Sequence, residues 1–224
     1  MQIAIEQEEW TQDDELAARF WERPSWLRPE MLASLAELNE QYLDFLAVQA
    51  MTNSSTGHSL VRELRPLFMV LDPGARRRAA SCPYLLLDAG FADPQRWLWA
   101  RGYHARDAER MPLDQYLTMP QATSLARLVF AYAWHLARTH SSAARMILGM
   151  SGRTAEILRT YTLRQMTDLA ELHPQWLQPR WPAHSRMWRE LLTSSMKGEG
   201  PLLEQARMRG VQLLAAEARS AALL

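Results

Sequence analysis

The chain has few of the residues that cross-link a protein or anchor it in a membrane. Cys82 is the only cysteine among 224 residues, so neither an internal disulfide nor a multi-cysteine zinc site can form. No apolar run approaches the roughly 18 residues that span a membrane. Residues 1–15 hold six acids where a signal peptide needs a basic and then an apolar stretch. These absences predict a cytoplasmic protein that does not enter a membrane.

Glycine is also scarce, with nine residues, and segments that alternate apolar and polar residues are missing. Leu, Ala, Arg, Glu and Met, which are good helix formers, dominate instead. Apolar residues recur at helical spacing over 30–47, and a last helix is expected over 201–222, where Gly210 is an interruption. The predicted fold class is therefore all-α, a multi-helix bundle with a helix-turn-helix-like element in its C-terminal half.

Two helix starts are marked by side chains that cap a first turn. Asp72 stands before Pro73, which suits the first position of a helix. Thr162, with Gln165 three residues later, forms a capping-box pattern. The run 76–78, three arginines, follows the first start and opposes the helix dipole. It either contacts phosphate or an acidic partner, or pairs with acids in the chain's own first fifty residues.

Charge is balanced overall, with 25 basic and 25 acidic residues, but it is unevenly distributed. Residues 1–50 carry 11 acids and 3 arginines, whereas residues 138–224 carry 12 bases and 7 acids. We predict an acidic helical region over 1–110 and a second helical region over 111–224. An acidic front and a basic back indicate a separate partner for each end, or contact between the two ends.

The most informative segment lies in the second region. After a long helix at about 121–139 and a short helix over 143–148, Gly149-Met150-Ser151 turns the chain into a helix over 152–160. A helix-turn-helix needs glycine at its turn because the turn takes a positive φ, where a side chain clashes. Such turns also occur in helical proteins of many functions, so the pattern alone leaves a DNA-binding motif and a plain turn both open.

Arginines surround this turn, with eight between residues 138 and 189 against only three acids. Arginine donates two hydrogen bonds to guanine, and a basic surface follows phosphates. We expect Met150 and Leu158 to face inward, and Arg153, Thr154, Glu156 and Arg159 to lie on the outer side of the second helix. The predicted DNA-binding residues are Arg145, Arg153, Thr154, Arg159 and Arg164.

Part of this segment resembles the FlhD family of flagellar transcription regulators, over about residues 125–195. The matching residues are Leu148-Gly149-Met150, Ala155, Leu158 and Thr162-Leu163-Arg164-Gln165-Met166-Thr167-Asp168-Leu169-Ala170-Glu171. The resemblance implies an α-helical, dimer-forming regulator that binds promoter DNA jointly with a separate FlhC-like protein. It makes 111–224 an FlhD-like region, and it gives the first expected function: a transcriptional activator that forms a homodimer and binds double-stranded DNA.

Nine tryptophans are unusual for this length, and Trp176, Trp181 and Trp188 fall within thirteen residues. Tryptophan beside arginine predicts a protein interface. The alternative is that these rings fill the core, with their indole N–H groups bonded to nearby carbonyls. An interface would fit a second function, a non-enzymatic protein-interaction adaptor of a secretion or flagellar assembly.

No catalytic residue, metal site or cofactor is expected. His135 and His140 are five residues apart and do not share a helical face as a zinc pair does. Neither a His-Glu-x-x-His motif nor a phosphate-cradling glycine loop occurs. Cys82 precedes Pro83 in an apolar stretch, so we expect a buried and inert thiol.

A faint internal repeat is also present. Tyr42, Leu46 and Ala47 match the pattern of Tyr132, Leu136 and Ala137, and Pro94-Gln95-Arg96-Trp97 matches Pro174-Gln175-Trp176. Chance similarity between two helical halves explains this pattern as well as duplication does.

Overall fold

The computed structural model describes residues 28–52, 58–101 and 120–222. Within these ranges the chain forms eleven α-helices, two strands of two residues each and one 3₁₀ turn, which confirms the predicted all-α class. The helices are α1 (Pro29–Met51), α2 (Ser59–Glu63), α3 (Arg65–Val70), α4 (Pro73–Ala80), α5 (Pro94–Arg101), α6 (Pro120–Thr139), α7 (Ser141–Leu148), α8 (Gly152–Arg159), α9 (Leu163–Leu172), α10 (Ser185–Lys197) and α11 (Pro201–Ala222). The strands are β1 (Leu87–Asp88) and β2 (Gln178–Pro179), and the 3₁₀ turn is Pro174–Trp176.

Both predicted helix starts are confirmed. The Asp72 carboxylate accepts a hydrogen bond from the amide of Ala75 at 2.9 Å and so caps α4. The Thr162 hydroxyl accepts from the amide of Gln165 at 3.2 Å, while the Gln165 side chain accepts from the amide of Thr162 at 2.8 Å. This reciprocal capping box begins α9.

The two long helices α1 and α6 pack against each other at the centre of the fold. The short helices α3 and α4 lie against α1, and α7, α8 and α9 lie against α6. Buried apolar side chains from all these helices form one continuous core. The predicted boundary between residues 110 and 111 lies outside the described residues.

Asn39 of α1 is a fully buried polar residue that organises the chain between α4 and β1. Its side-chain amide donates to the carbonyls of Ala80 and Tyr84 at 3.0 and 2.9 Å, and its carbonyl accepts from the amide of Leu86 at 2.8 Å. All three bonds satisfy backbone groups that the surrounding core would otherwise leave unpaired. The irregular segment after α4 is therefore held against α1 through one side chain.

The segment around β1 connects the two halves of the chain. β1 and β2 are antiparallel, with Leu87 opposite Pro179 and Asp88 opposite Gln178. Just before β1, the amide of Leu85 donates to the carbonyl of Ile147 at 3.0 Å. These backbone bonds join residues that are far apart in sequence, so the two halves share one hydrogen-bond network.

Two further expectations, about the arginine run of α4 and about Cys82 just after this helix, are confirmed. Arg76 forms an ion pair with Asp44, which confirms that the triple-arginine run contacts an acid among the chain's first fifty residues. Cys82 is buried, as predicted, and its thiol donates to the carbonyl of Ala79 at 3.0 Å. Burial raises the pKa of this thiol to about 12, so it stays protonated at neutral pH.

Among the described helices, none has both the length and the apolar character of a membrane span.

The last helix, α11, is continuous through Gly210, where the sequence indicated an interruption. The reason for the glycine is a close approach: a Cβ atom at position 210 would lie 2.0 Å from the ring of the buried Tyr84. Glycine therefore serves packing at this position, and it lets α11 lie directly on the core.

We expect Gly210→Ala to destabilise the protein. In an open helix this change gains about 1 kcal/mol of stability, but overpacking a dense core costs about 1–3 kcal/mol. The free energy of unfolding, measured by urea titration, should therefore fall. Gly152→Ala is the matched control, because a Cβ atom there meets no other atom within 4 Å. An increase in stability for Gly210→Ala would show that the contact with Tyr84 is absent.

Candidate nucleic-acid interface

The connection between α7 and α8 has the local geometry that the sequence predicts. Gly149 ends α7 in the left-handed region with φ of 64°, which favours a residue without a Cβ atom. Ser151 caps α8, and its hydroxyl accepts a hydrogen bond from the amide of Thr154 at 3.0 Å. Met150 and Leu158 are buried, as expected. Two short helices thus meet at a three-residue turn with both helix ends satisfied.

Helix α8 has one buried side and one exposed side. Its buried side packs on α5 and α6. The exposed side carries Arg153, Glu156 and Arg159, which we call the α8 outer face. The prediction that Thr154 belongs to this face is wrong. Thr154 is fully buried, and its hydroxyl lies 2.8 Å from that of Ser151, so the bond to the cap holds it on the inner side.

Other exposed arginines come from the neighbouring helices. Arg145 of α7 and Arg164 in the first turn of α9 are both exposed. Arg153 pairs with Glu156 of the same helix at 3.1 Å, with both side chains about two-thirds in solvent. Such an exposed pair contributes only about 0.3–0.5 kcal/mol, so Arg153 can exchange this partner for a stronger anion. Four of the five predicted DNA-binding residues are therefore accessible.

Arg180, one of the eight arginines between residues 138 and 189, is unavailable to any ligand. Its side chain is only 3% exposed, and its guanidinium donates to the carbonyl of Leu148 at the end of α7. Asp88 and Glu217 lie 3.7 and 4.0 Å from it. Burial lowers the pKa of Arg180, while the two carboxylates act in the opposite direction. From the sequence, Arg180 was grouped with the arginines expected to follow phosphates, but in the fold its side chain is buried.

The three clustered tryptophans also lie inside the fold. Trp188 is completely buried, and its indole N–H donates to the carbonyl of Arg180 at 2.7 Å. Trp181 contacts the ring of Tyr84 edge-on at 5.4 Å between centroids, and Trp176 meets Trp97 in the same way at 5.3 Å. Trp176, Trp181 and Trp188 are therefore core residues, and their assignment to a protein interface is corrected. The alternative of core filling is confirmed for all three rings, and the expected bond from an indole N–H to a carbonyl is present at Trp188.

Sequence reasoning missed the contact between Arg180 and the turn. A Cβ atom on Gly149 would lie 2.7 Å from the Nη1 atom of Arg180 and 3.0 Å from Leu214 of α11. Gly149 is therefore required twice, once for its positive φ and once for the space that the guanidinium occupies. The only signal in the sequence was the glycine itself, which does not reveal the arginine 31 positions later.

Comparison with known proteins gave no match among family models, curated proteins or solved structures. Within the described part of the chain, no three His, Cys, Asp or Glu side chains are grouped so that they could hold a metal ion.

We expect Gly149→Ala to lower the free energy of unfolding by about 2–5 kcal/mol. A left-handed conformation costs an L-residue about 1–2 kcal/mol, and the clash with Arg180 adds about 1–3 kcal/mol. A double-mutant cycle with Arg180→Ala isolates the second contribution, because the smaller side chain removes the clash. Additive effects in the cycle, measured by chemical denaturation, would show that Arg180 does not contact the turn.

Proposed function

We propose that the chain is an FlhD-like transcription regulator that binds double-stranded DNA through the α8 outer face, jointly with a partner protein. The observation that carries the proposal is the accessibility of Arg153 and Arg159 on the side of α8 away from the core. The resemblance of residues Thr162–Glu171 to the FlhD family supports the same function. A cytoplasmic location and an FlhC-like partner stay predictions that come with it.

The chemistry of the α8 outer face suits a groove of DNA. An α-helix such as α8 is about 10–12 Å across with its side chains, a diameter that the major groove of about 12 Å width receives. An arginine on such a helix can donate two hydrogen bonds to guanine, and Glu156 can accept from the amino group of cytosine. Arg145 and Arg164 on the flanking helices are suited to phosphate contacts, which carry affinity without sequence preference.

We expect the double substitution Arg153→Ala/Arg159→Ala to weaken binding to a mixed-sequence duplex by about tenfold or more, because each good arginine contact contributes about 1–3 kcal/mol. The dissociation constant should be measured by fluorescence anisotropy over a salt series. The slope of its logarithm against the logarithm of salt concentration should stay nearly the same, because the arginines suited to phosphate contacts, Arg145 and Arg164, are retained. Both side chains are exposed, so the melting temperature of the protein should not change.

The matched control is Arg186→Ala/Arg189→Ala on α10. These two arginines are also exposed, and they pair with Glu190 and Glu63 at 2.9 and 3.2 Å. The control removes the same charge from a different surface, so it should leave DNA affinity nearly unchanged. Equal weakening by both double variants would mean that only total charge matters, and the assignment of α8 would be abandoned.

A second candidate function, a protein-interaction adaptor, is favoured by the surface of α3. The exposed side chains of that helix are Pro66, Met69 and Val70, and none is charged. Met69 and Val70, which are adjacent in sequence, expose 51% and 64% of their surface. An exposed apolar patch of this kind marks protein contact surfaces.

The adaptor function predicts that Met69→Glu abolishes recovery of a protein partner in a pull-down, because a carboxylate cannot be buried in an apolar contact without large cost. Met208→Glu is the control, since Met208 is equally exposed, at 54%, but lies on α11. A partner that is retained by Met69→Glu and lost with Met208→Glu would assign the contact to α11 instead. Absence of duplex binding by the unmodified chain would favour the adaptor over the regulator.

A further inference from the structure

The described chain contains the same order of elements twice. A long helix is followed by three short helices, a two-residue strand and a further helix, first over residues 29–101 and again over 120–197. We call these segments unit 1 and unit 2. The second unit adds only the 3₁₀ turn before its strand, and α11 follows it.

Landmarks in the two units recur at nearly constant spacing. The first residues of α1 and α6, both proline, are 91 positions apart, and so are β1 and β2. The helices that end the units, α5 and α10, also begin 91 positions apart. Their fully buried tryptophans, Trp97 and Trp188, have the same spacing, and each donates its indole N–H to a carbonyl in the turn before its helix. The spacing is shorter for the first two short helices, 82 positions between the starts of α2 and α7 and 87 between those of α3 and α8, because the connection before α2 is longer.

The strand pairing has the symmetry of a two-fold axis. With a shift of 91 positions, Leu87 corresponds to Gln178 and Asp88 corresponds to Pro179. The observed partners are Leu87 with Pro179 and Asp88 with Gln178, so each residue pairs with the counterpart of its neighbour. This pairing is unchanged when the two units are exchanged, which is the property of an isologous contact between two copies.

The helix packing repeats this symmetry in part, because α10 also packs on α4 whereas the described residues of α5 make no comparable contact with α9. Helix α5 of unit 1 packs on α8 of unit 2, and α10 of unit 2 packs on α3 of unit 1. Since α5 corresponds to α10 and α3 corresponds to α8, these are one contact made twice. The long helices α1 and α6 meet each other across the same axis.

We infer that one chain is already a complete pair of like units, so that it acts as a monomer and presents a single DNA-binding face to a non-palindromic site. The site requirement rests on the proposed function. Symmetric recognition of a palindrome needs two like helices, one for each half-site. Here α8 offers Arg153, Glu156 and Arg159, whereas its counterpart α3 offers Pro66, Met69 and Val70.

The surfaces through which the units pair are already covered within one chain, so a second copy of the chain is not needed to cover them. The strand edge at residues 87–88 is covered by residues 178–179, and the terminal helix of each unit is seated on the other unit. Pairing of two whole chains through the same surfaces would first require these contacts to separate. The inferred monomer therefore takes the place of the predicted homodimer.

The test combines the mass of the free chain with selection of its DNA site. Light scattering after size exclusion at micromolar concentration should give the mass of one chain, 25.8 kDa, and a mass of two chains would overturn the inference. Sites selected from a pool of randomised duplexes should lack two-fold symmetry and bind one chain each. Inverted repeats that bind two chains would overturn the inference while leaving the regulator function in place.

The two proposals can fail separately. A chain that is monomeric but selects no duplex would overturn the single DNA-binding face on α8 and favour the adaptor function. It would still support the internal pair, because the mass depends only on how the units pair. Arg153→Ala/Arg159→Ala provides the check, since it should abolish site selection without changing the mass.

Discussion

The buried charge of Arg180 is the constraint on which the arrangement of the helices depends. Removing a guanidinium from water costs several kcal/mol even after the protein relaxes around it. The compensation comes from three separate parts of the chain: the carbonyl of Leu148 at the end of α7, Asp88 of β1 and Glu217 of α11. Because none of these partners is local to Arg180 in sequence, the charge is tolerated only when all three elements are in place.

The partners also differ in kind, which explains how the cluster holds together. The Leu148 carbonyl accepts a hydrogen bond, while the carboxylates lie at 3.7 and 4.0 Å and act through charge. Burial raises the pKa of Glu217 and the charge of Arg180 lowers it, so the arginine helps to keep that carboxylate ionised. The C-terminal helix is thus attached to the α7–α8 turn through an ion pair, and the position of α8 depends on residues far from it in sequence.

Local features of the sequence were enough to predict the helices but not their surroundings. Caps at Asp72 and Thr162 and the positive φ of Gly149 depend on atoms within a few residues, so they were predicted correctly. Thr154 was misplaced because its exposure is decided by its bond to Ser151 and by the helices that cover α8. Arg180 was misread for the same reason, since the carboxylates beside it become neighbours only in the folded chain.

The internal repeat shows the same limit in another form. Matching short strings of residues related Trp97 to Trp176, whereas the fold makes Trp97 the counterpart of Trp188. The string was misleading because prolines and tryptophans recur for different local reasons, a helix start in one place and a 3₁₀ turn in the other. The order of elements and the symmetric strand pairing are a firmer basis for the internal repeat, because they require many atoms to be related by the same two-fold axis.

The unlike outer faces of α3 and α8 separate what the fold requires from what function selects. Both helices bury apolar side chains against the long helix of their own unit and the terminal helix of the other, Phe68 on α3 and Leu158 on α8. Packing therefore constrains their inner sides alike and leaves their outer sides free. A cationic face on one unit and an apolar face on the other suit two different ligands, so a neutral total charge is compatible with a local site for an anion. Since the two units share one fold, the fold does not explain why the outer faces of α3 and α8 differ. This difference is therefore the feature most closely tied to a function specific to this protein.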